Sequence, residues 1–157
     1  MVFLLKIINF LSLVILLYLI TRVSMKSNDF DSLAVYKSSL VLRDLSDAIG
    51  HYFSPEHRVF SKRSLGLRAI IAESLINDAS LLPLTIEATY KSSSLDYKLK
   101  NVNFVNIISR NIISYCNGLE NDGIKEKEYL QLLRRELKTF RKSFKQWRKS
   151  LLYDSEQ

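Results

Sequence analysis

Apolar and polar residues alternate in three different ways along this chain, and each pattern predicts a different kind of element. The first pattern is an almost unbroken apolar run over residues 2–20. These 19 residues, at about 1.5 Å each, form a helix of roughly 28 Å, close to the ~30 Å thickness of a bilayer's hydrocarbon core. Residues 1–22 are therefore predicted to be a transmembrane anchor.

A cleaved signal peptide is the rival interpretation of this run. No Ala-x-Ala-like cleavage site follows it, and its first residues contain one basic side chain, Lys6, so the uncleaved anchor is favoured. Arg22 and Lys26 follow the run closely, and the positive-inside rule then favours the cytoplasm for the domain that follows. We expect a single-pass protein of the inner (plasma) membrane.

The second pattern is a helical spacing of apolar residues, which recurs through most of the domain at 23–157. It predicts helices at about 27–53, 64–82, 101–117 and 124–153. The residues predicted to face inward in the first three helices are Val35, Leu42, Leu45, Ile49 and Tyr52, then Leu67, Ile70, Ile71, Leu75 and Ile76, and then Val105, Ile108, Ile112 and Cys116. Four helices with short connectors predict an all-α fold, an antiparallel bundle that follows the anchor.

The third pattern is an alternation with a period of two residues, which occurs only at residues 84–100. Leu84, Ile86, Ala88 and Tyr90 alternate with polar residues, and a similar alternation follows the serines at 92–94. This pattern indicates a small β-hairpin. A continued helix with a break fits the segment equally well, since an isolated hairpin needs another element to pack against.

The last helix carries the most regular pattern in the chain. Its apolar residues are separated by alternating steps of three and four, which makes a heptad seam that must pack against other helices. This is the fourth predicted helix of the domain, α4, at about 124–153, and we call the set the α4 seam: Leu130, Leu133, Leu137, Phe140, Phe144, Trp147 and Leu151. The sequence leaves open whether it packs within the chain or against another chain.

The same helix is strongly basic outside the α4 seam. The last 34 residues, 124–157, hold 10 Lys/Arg and 5 Asp/Glu, a balance of +5 out of the chain's +7. We call the following set the basic face: Arg134, Arg135, Lys138, Arg141, Lys142, Lys145, Arg148 and Lys149. It is typical of a solvated outer helix face, and anionic lipid, nucleic acid and an acidic groove on a partner protein are the functional alternatives.

No residue cluster points to catalysis or to a cofactor. The chain has one cysteine, Cys116, which excludes a four-cysteine zinc site and an intramolecular disulfide, and it has no phosphate-binding loop or dinucleotide fingerprint. Asp47, His51, Glu56 and His57 lie close in sequence, but their spacing matches no metal-ligand motif. We therefore predict neither catalytic nor metal-binding residues, and no cofactor.

The segment NIISYCNGLENDGIKEKEYLQLLRREL resembles part of a group of uncharacterised bacterial membrane-anchored helical proteins. The residues that carry the resemblance are Asn111, Tyr115, Gly123, Ile124, Glu126 and Glu128. A glutamate usual in that family's helix is absent here, where Cys116 and Asn117 stand nearby. The resemblance implies a helical domain behind one membrane span, and the group has no known activity to carry over.

Together these patterns predict a non-enzymatic interaction or scaffold subunit of a bacterial membrane complex. Its partners would be the lipid bilayer and either a protein partner or further copies of the chain. The alternative is a membrane-tethered binder of nucleic acid or anionic lipid, acting through the basic face.

Overall fold

The computed structural model describes residues 33–53 and 65–153, and these residues form four helices and no strand. The helices are α1 (Ala34–Phe53), α2 (Leu65–Lys91), α3 (Leu95–Asn121) and α4 (Lys127–Tyr153). The predicted all-helical fold is thus confirmed for the described residues. The predicted anchor at 1–22 lies outside them, as does the proposed start of the first helix at 27–32.

Of the two structures that the sequence left open at 84–100, the hairpin is wrong and the continued helix with a break is confirmed. Residues 84–91 continue α2, and α3 begins at Leu95 after only three non-helical residues. Leu82, Ile86 and Thr89 also have helical spacing, and all three are buried. Burial of this stripe offsets the backbone hydrogen bond to Ala79 that Pro83 cannot donate.

Local signals explain where α3 begins and ends. Ser94 is its N-cap, and the Ser94 hydroxyl accepts a hydrogen bond from the backbone N–H of Tyr97. At the other end the N–H of Gly123 bonds to the carbonyl of Glu120, and Gly123 has a φ of +76°. Only glycine adopts this left-handed conformation without strain, so it suits the turn into α4.

The helices form an antiparallel ring in which each packs against two others. α1 packs against α2 and α4, and α3 packs against α2 and α4. Ser38, near the start of α1, is hydrogen-bonded to Ser143 of α4 at 2.7 Å, whereas Tyr52, near its end, donates to Glu126 at 3.2 Å. α1 and α4 therefore run in opposite directions.

The core lies between the four helices. In three of the four helices the residues that the sequence predicted to face inward are buried or partly buried. Val35, Leu42, Leu45 and Ile49 are buried, and so is the predicted inward stripe of α3 from Val105 to Cys116. Tyr52 is partly buried and packs edge-on against Tyr129 at 5.1 Å. The stripe predicted for α2 is wrong at two positions, since Leu67 and Ile70 are 61% and 62% exposed.

α2 is the most apolar of the four helices. Within the described residues, Gly66–Lys91 alone is long and apolar enough to cross a membrane, judged by length and composition. A core helix of a bundle meets the same criteria, and only a third of the apolar window is buried inside this bundle. Much of the apolar surface of α2 therefore faces outward.

Candidate functional site

The α4 seam lies inside the bundle. Six of its seven residues are buried, and Leu151 is partly buried against the same core. Phe140 and Phe144 are stacked with their ring centroids 5.9 Å apart, and Trp147 follows 6.1 Å from Phe144. The aromatic rings of the seam are thus committed to the fold and are not available to bases or to a partner helix.

Seven of the eight residues of the basic face are exposed. The exception is Arg134, which is partly buried and donates to the Asn117 side chain at 2.9 Å and to the Glu120 carboxylate at 2.6 Å. This contact with Arg134 lowers the pKa of Glu120 below its ordinary range. Arg134 therefore joins α3 to α4, and the exposed basic charge begins with Arg135.

The exposed basic residues are concentrated in the second half of α4. From Lys138 to Lys149 six basic side chains are exposed, and within the described residues none of them forms a side-chain hydrogen bond or ion pair. The Ser38–Ser143 contact places this half of α4 beside the start of α1. The basic charge thus lies at the end of the bundle where residue 33 connects to the apolar N-terminal run.

A second surface is apolar and was not predicted. Every large apolar side chain that is exposed among the described residues lies on α2 or α3. We call this set the apolar surface: Leu67, Ile70, Leu81, Leu84, Tyr90, Leu95, Tyr97, Leu99, Phe104 and Ile107. None belongs to α1 or α4, so the exposed apolar side chains and the basic face lie on different helices.

Polar contacts set the register between the two helices that carry this surface. Arg68 pairs with Asp122 at 2.5 Å, and further along the Asp78 carboxylate accepts hydrogen bonds from Asn111 at 2.8 Å and from Tyr115 at 2.9 Å. Continued at helical rise, this antiparallel register brings the C-terminal half of α2 level with the N-terminal half of α3. Leu84 then lies at about the level of Phe104 and Ile107.

The Asp78 contacts also hold Tyr115 in its neutral form. Partial burial and the hydrogen bond to Asp78 raise the pKa of the Tyr115 phenol to about 12. Its neighbour Cys116 is fully buried, and removal from water raises the pKa of the thiol to about 11. At neutral pH the thiolate, the reactive form of cysteine, is therefore nearly absent.

The four residues considered for a metal site are only partly described. His51 Nδ1 lies 2.8 Å from the backbone carbonyl of Asp47 and 3.4 Å from its carboxylate, and both side chains are exposed. Glu56 and His57 lie outside the described residues. Among residues 33–53 and 65–153, no three His, Cys, Asp or Glu side chains come together in a way that suits a metal ion.

No family model, curated protein or solved structure matches this chain. The resemblance carried by residues such as Asn111 and Tyr115 therefore stays a prediction. The structure gives these two residues a local role, since both donate to Asp78 and so hold α3 against α2. Any assignment of function must come from the two surfaces themselves.

Sequence reasoning missed the apolar surface for a specific reason. It assigned Leu67 and Ile70 to the core, and it left the residues after Pro83 open between a hairpin and a continued helix. α2 has apolar residues on nearly all sides, so periodicity alone does not select the buried face. The available signal was that α2 carries more large apolar residues than one inward stripe can bury.

Proposed function

We propose that this chain is a membrane-anchored, non-enzymatic interaction subunit that docks a protein partner through the apolar surface of α2 and α3. The proposal is supported by one observation above all. Among the described residues the bundle buries 24 hydrophobic residues in its core, yet ten further large apolar side chains remain exposed on α2 and α3. Exposed apolar patches of this kind are typical of protein interaction sites and membrane contacts.

Photo-crosslinking in native membranes tests this proposal. A photoreactive amino acid at Phe104 or Leu84, both on the apolar surface, should form a discrete protein adduct. The same amino acid at Asp47, which is exposed on α1, is the control and should form none. Adducts at all three positions, or at none, would contradict docking at the apolar surface.

The second candidate function is binding of anionic lipid by the basic face. It is favoured by the six exposed basic residues at the end of the bundle that leads to the apolar N-terminal run. Each basic residue near an anionic leaflet contributes about 1 kcal/mol. Nucleic acid shares the phosphate chemistry, but base stacking needs exposed aromatic rings, and Phe140, Phe144 and Trp147 are buried.

Amine labelling of the full chain in lipid nanodiscs distinguishes binding of anionic lipid from binding of nucleic acid. We expect Lys142 and Lys145 to be protected from an amine-labelling reagent when the disc contains anionic lipid, and to be labelled when it is zwitterionic. High salt should remove the protection because exposed charges are screened. Equal labelling in both discs would contradict lipid binding, and a gel shift of duplex DNA by the zwitterionic disc would favour nucleic acid.

A further inference from the structure

The outward face of α2 contains a second heptad seam, on the surface of the bundle. Its positions are separated by steps of three and four, as in helices that pair along their length. We call this set the α2 seam: Leu67, Ile70, Ser74, Asn77, Leu81 and Leu84. Leu67, Ile70 and Leu84 are 61%, 62% and 59% exposed, so the apolar ends of this seam face away from the core.

The α2 seam is symmetric about its own midpoint, which lies between residues 75 and 76. Reversing the helix about that point exchanges Leu67 with Leu84 and Ile70 with Leu81, and it exchanges Ser74 with Asn77. In a two-fold interface residue i of one copy meets residue j of the other, and j meets i. An antiparallel pair of α2 helices would therefore match apolar with apolar and polar with polar.

The charges along α2 permit two copies to approach. Between Leu67 and Leu84 the one charged residue among the exposed side chains is Glu73. Arg68 is held by Asp122 at 2.5 Å, and Asp78 accepts from α3. Each chain carries a net charge of +7, but two copies that meet through α2 bring no basic residues into opposition. Two copies that met through α4 would bring their basic faces together.

The polar centre of the α2 seam distinguishes a second copy from lipid. Asn77 is exposed in the middle of the seam, where lipid tails would leave its side-chain amide without a hydrogen-bonding partner, which is unfavourable. A second copy brings Ser74 to the same level. Its hydroxyl, which is partly buried and hydrogen-bonded to Tyr115 of its own chain, can also pair with that amide. A central polar pair of this type also fixes the register of paired helices.

We propose that α2 pairs with the α2 helix of a second copy of this chain in an antiparallel, two-fold symmetric dimer. This inference rests on the proposed function, because it takes part of the apolar surface as a docking surface and names its partner. Leu67 of one copy packs on Leu84 of the other, and Ile70 packs on Leu81. The remaining apolar residues of α3, such as Phe104, flank the paired helices.

The dimer sets the orientation of the bundles relative to a membrane that anchors both copies. Antiparallel α2 helices place the two N-terminal connections at opposite ends of the dimer. Both anchors can enter one bilayer when the two-fold axis of the dimer is perpendicular to the membrane. The paired α2 helices then lie parallel to the membrane surface. The segment 21–32 between anchor and bundle, at up to about 3.5 Å per residue, is long enough to allow this.

Charge-exchange variants of the full chain in detergent test the dimer. Its molar mass is measured by light scattering with the detergent contribution subtracted. The unaltered chain should be a dimer, and Ile70→Glu or Leu81→Lys alone should raise the dimer dissociation constant at least about tenfold. The double variant carrying both should dimerise again, because in an antiparallel pair Glu at 70 meets Lys at 81 of the partner.

Ala34→Glu is the control, since Ala34 is exposed at the start of α1 outside the apolar surface and this variant should remain a dimer. A double variant that stays monomeric would overturn the antiparallel pairing, because parallel helices place like charges together. If the unaltered chain is monomeric, a second copy of the chain is not the partner of α2, and the proposed dimer is wrong. If Leu84 then still gave its protein adduct in membranes, the proposed function would stand without the dimer.

Discussion

The buried hydroxyls of Ser39 and Ser109 are satisfied within their own helices. The Ser39 hydroxyl donates to the carbonyl of Tyr36 at 2.7 Å, and the Ser109 hydroxyl donates to that of Val105 at 2.9 Å. Because a buried hydroxyl without a hydrogen bond is unfavourable, these local contacts allow serine at core positions. Asn111 and Tyr115 on α3, by contrast, donate to Asp78 of the neighbouring helix α2.

Cys116 should be chemically protected in the folded chain. With a pKa of about 11 its thiolate is rare at pH 8, and the side chain is fully buried. We expect its reaction with a chromogenic disulfide reagent to be at least about a hundredfold slower than that of a free thiol. As the chain has one cysteine, the reaction reports on this site alone.

Denaturant provides the control for Cys116. The unfolded chain should react at the rate of a free thiol. Rapid reaction of the folded chain, at the same rate as in denaturant, would show that the region around Cys116 opens readily and would contradict its place in the core.

Tyr115→Phe should lower the free energy of unfolding by about 1 kcal/mol at pH 7, since it removes one hydrogen bond to Asp78. The folded-state pKa of Tyr115 is raised from 10.0 to about 12. The contribution of the Tyr115 hydroxyl to the free energy of unfolding is therefore complete below pH 10, and it disappears as the pH rises through 12. Urea denaturation of both proteins across this range measures the difference.

Tyr97→Phe is the matched control, because Tyr97 is 45% exposed near the start of α3. That variant should unfold at the same urea concentration as the unaltered chain. A difference between Tyr115→Phe and the unaltered chain that stayed constant from pH 7 to pH 12 would contradict the assigned pKa.

At the scale of helices, the sequence predicted α4 well and α2 poorly, for one physical reason. α4 separates apolar from charged residues sharply, so its heptad spacing identifies the buried face, as Phe140 and Phe144 confirm. α2 lacks that contrast, and its buried face is decided by what α1, α3 and Pro83 allow. The outward position of Ile70 follows from packing between helices, which periodicity within one helix does not contain.

Gly50 provides a test of helix packing. A Cβ atom there would lie 2.9 Å from the backbone carbonyl oxygen of Ala72 and would overlap the side chain of Ile76. Alanine normally favours a helix over glycine by about 1 kcal/mol. We nevertheless expect Gly50→Ala to lower the free energy of unfolding by roughly 1–3 kcal/mol, because α1 and α2 must separate.

Gly66→Ala is the comparison for Gly50→Ala, since a Cβ at Gly66 in α2 has no neighbour within 4 Å. Thermal unfolding followed by circular dichroism should show an unchanged or higher midpoint for Gly66→Ala and a lower one for Gly50→Ala. Equal midpoints would mean that α1 and α2 are not in close contact at Gly50.

At the scale of the molecule, one core holds together helices with different surfaces, a basic face on α4 and the apolar surface on α2 and α3. α1 and α4 close the ring through contacts such as Ser38 with Ser143, while α2 and α3 present the apolar surface. The sequence predicted the number of helices and the core, including the α4 seam. The apolar surface emerged only once the four helices were placed, because exposure belongs to the assembled bundle.

Phe140→Asp and Trp147→Asp should each unfold the bundle. Both side chains are buried, and an unpaired buried charge removes several kcal/mol from a total that is typically only 5–15 kcal/mol. Circular dichroism and limited proteolysis measure the loss. Leu99→Asp makes the same chemical change at an exposed position and should leave the helical signal intact; a folded Phe140→Asp variant would contradict the arrangement of the α4 seam.

The contact between Ser38 and Ser143 joins residues 105 positions apart, and this separation orders events during synthesis on the ribosome. α1 emerges first, but the part of its core face that α4 covers stays open until nearly the whole chain has been made. Contacts between successive helices are local and form quickly. Contact between α1 and α4 then completes the bundle. A chain that is cut short before α4 by a stalled ribosome therefore leaves its core exposed along α1.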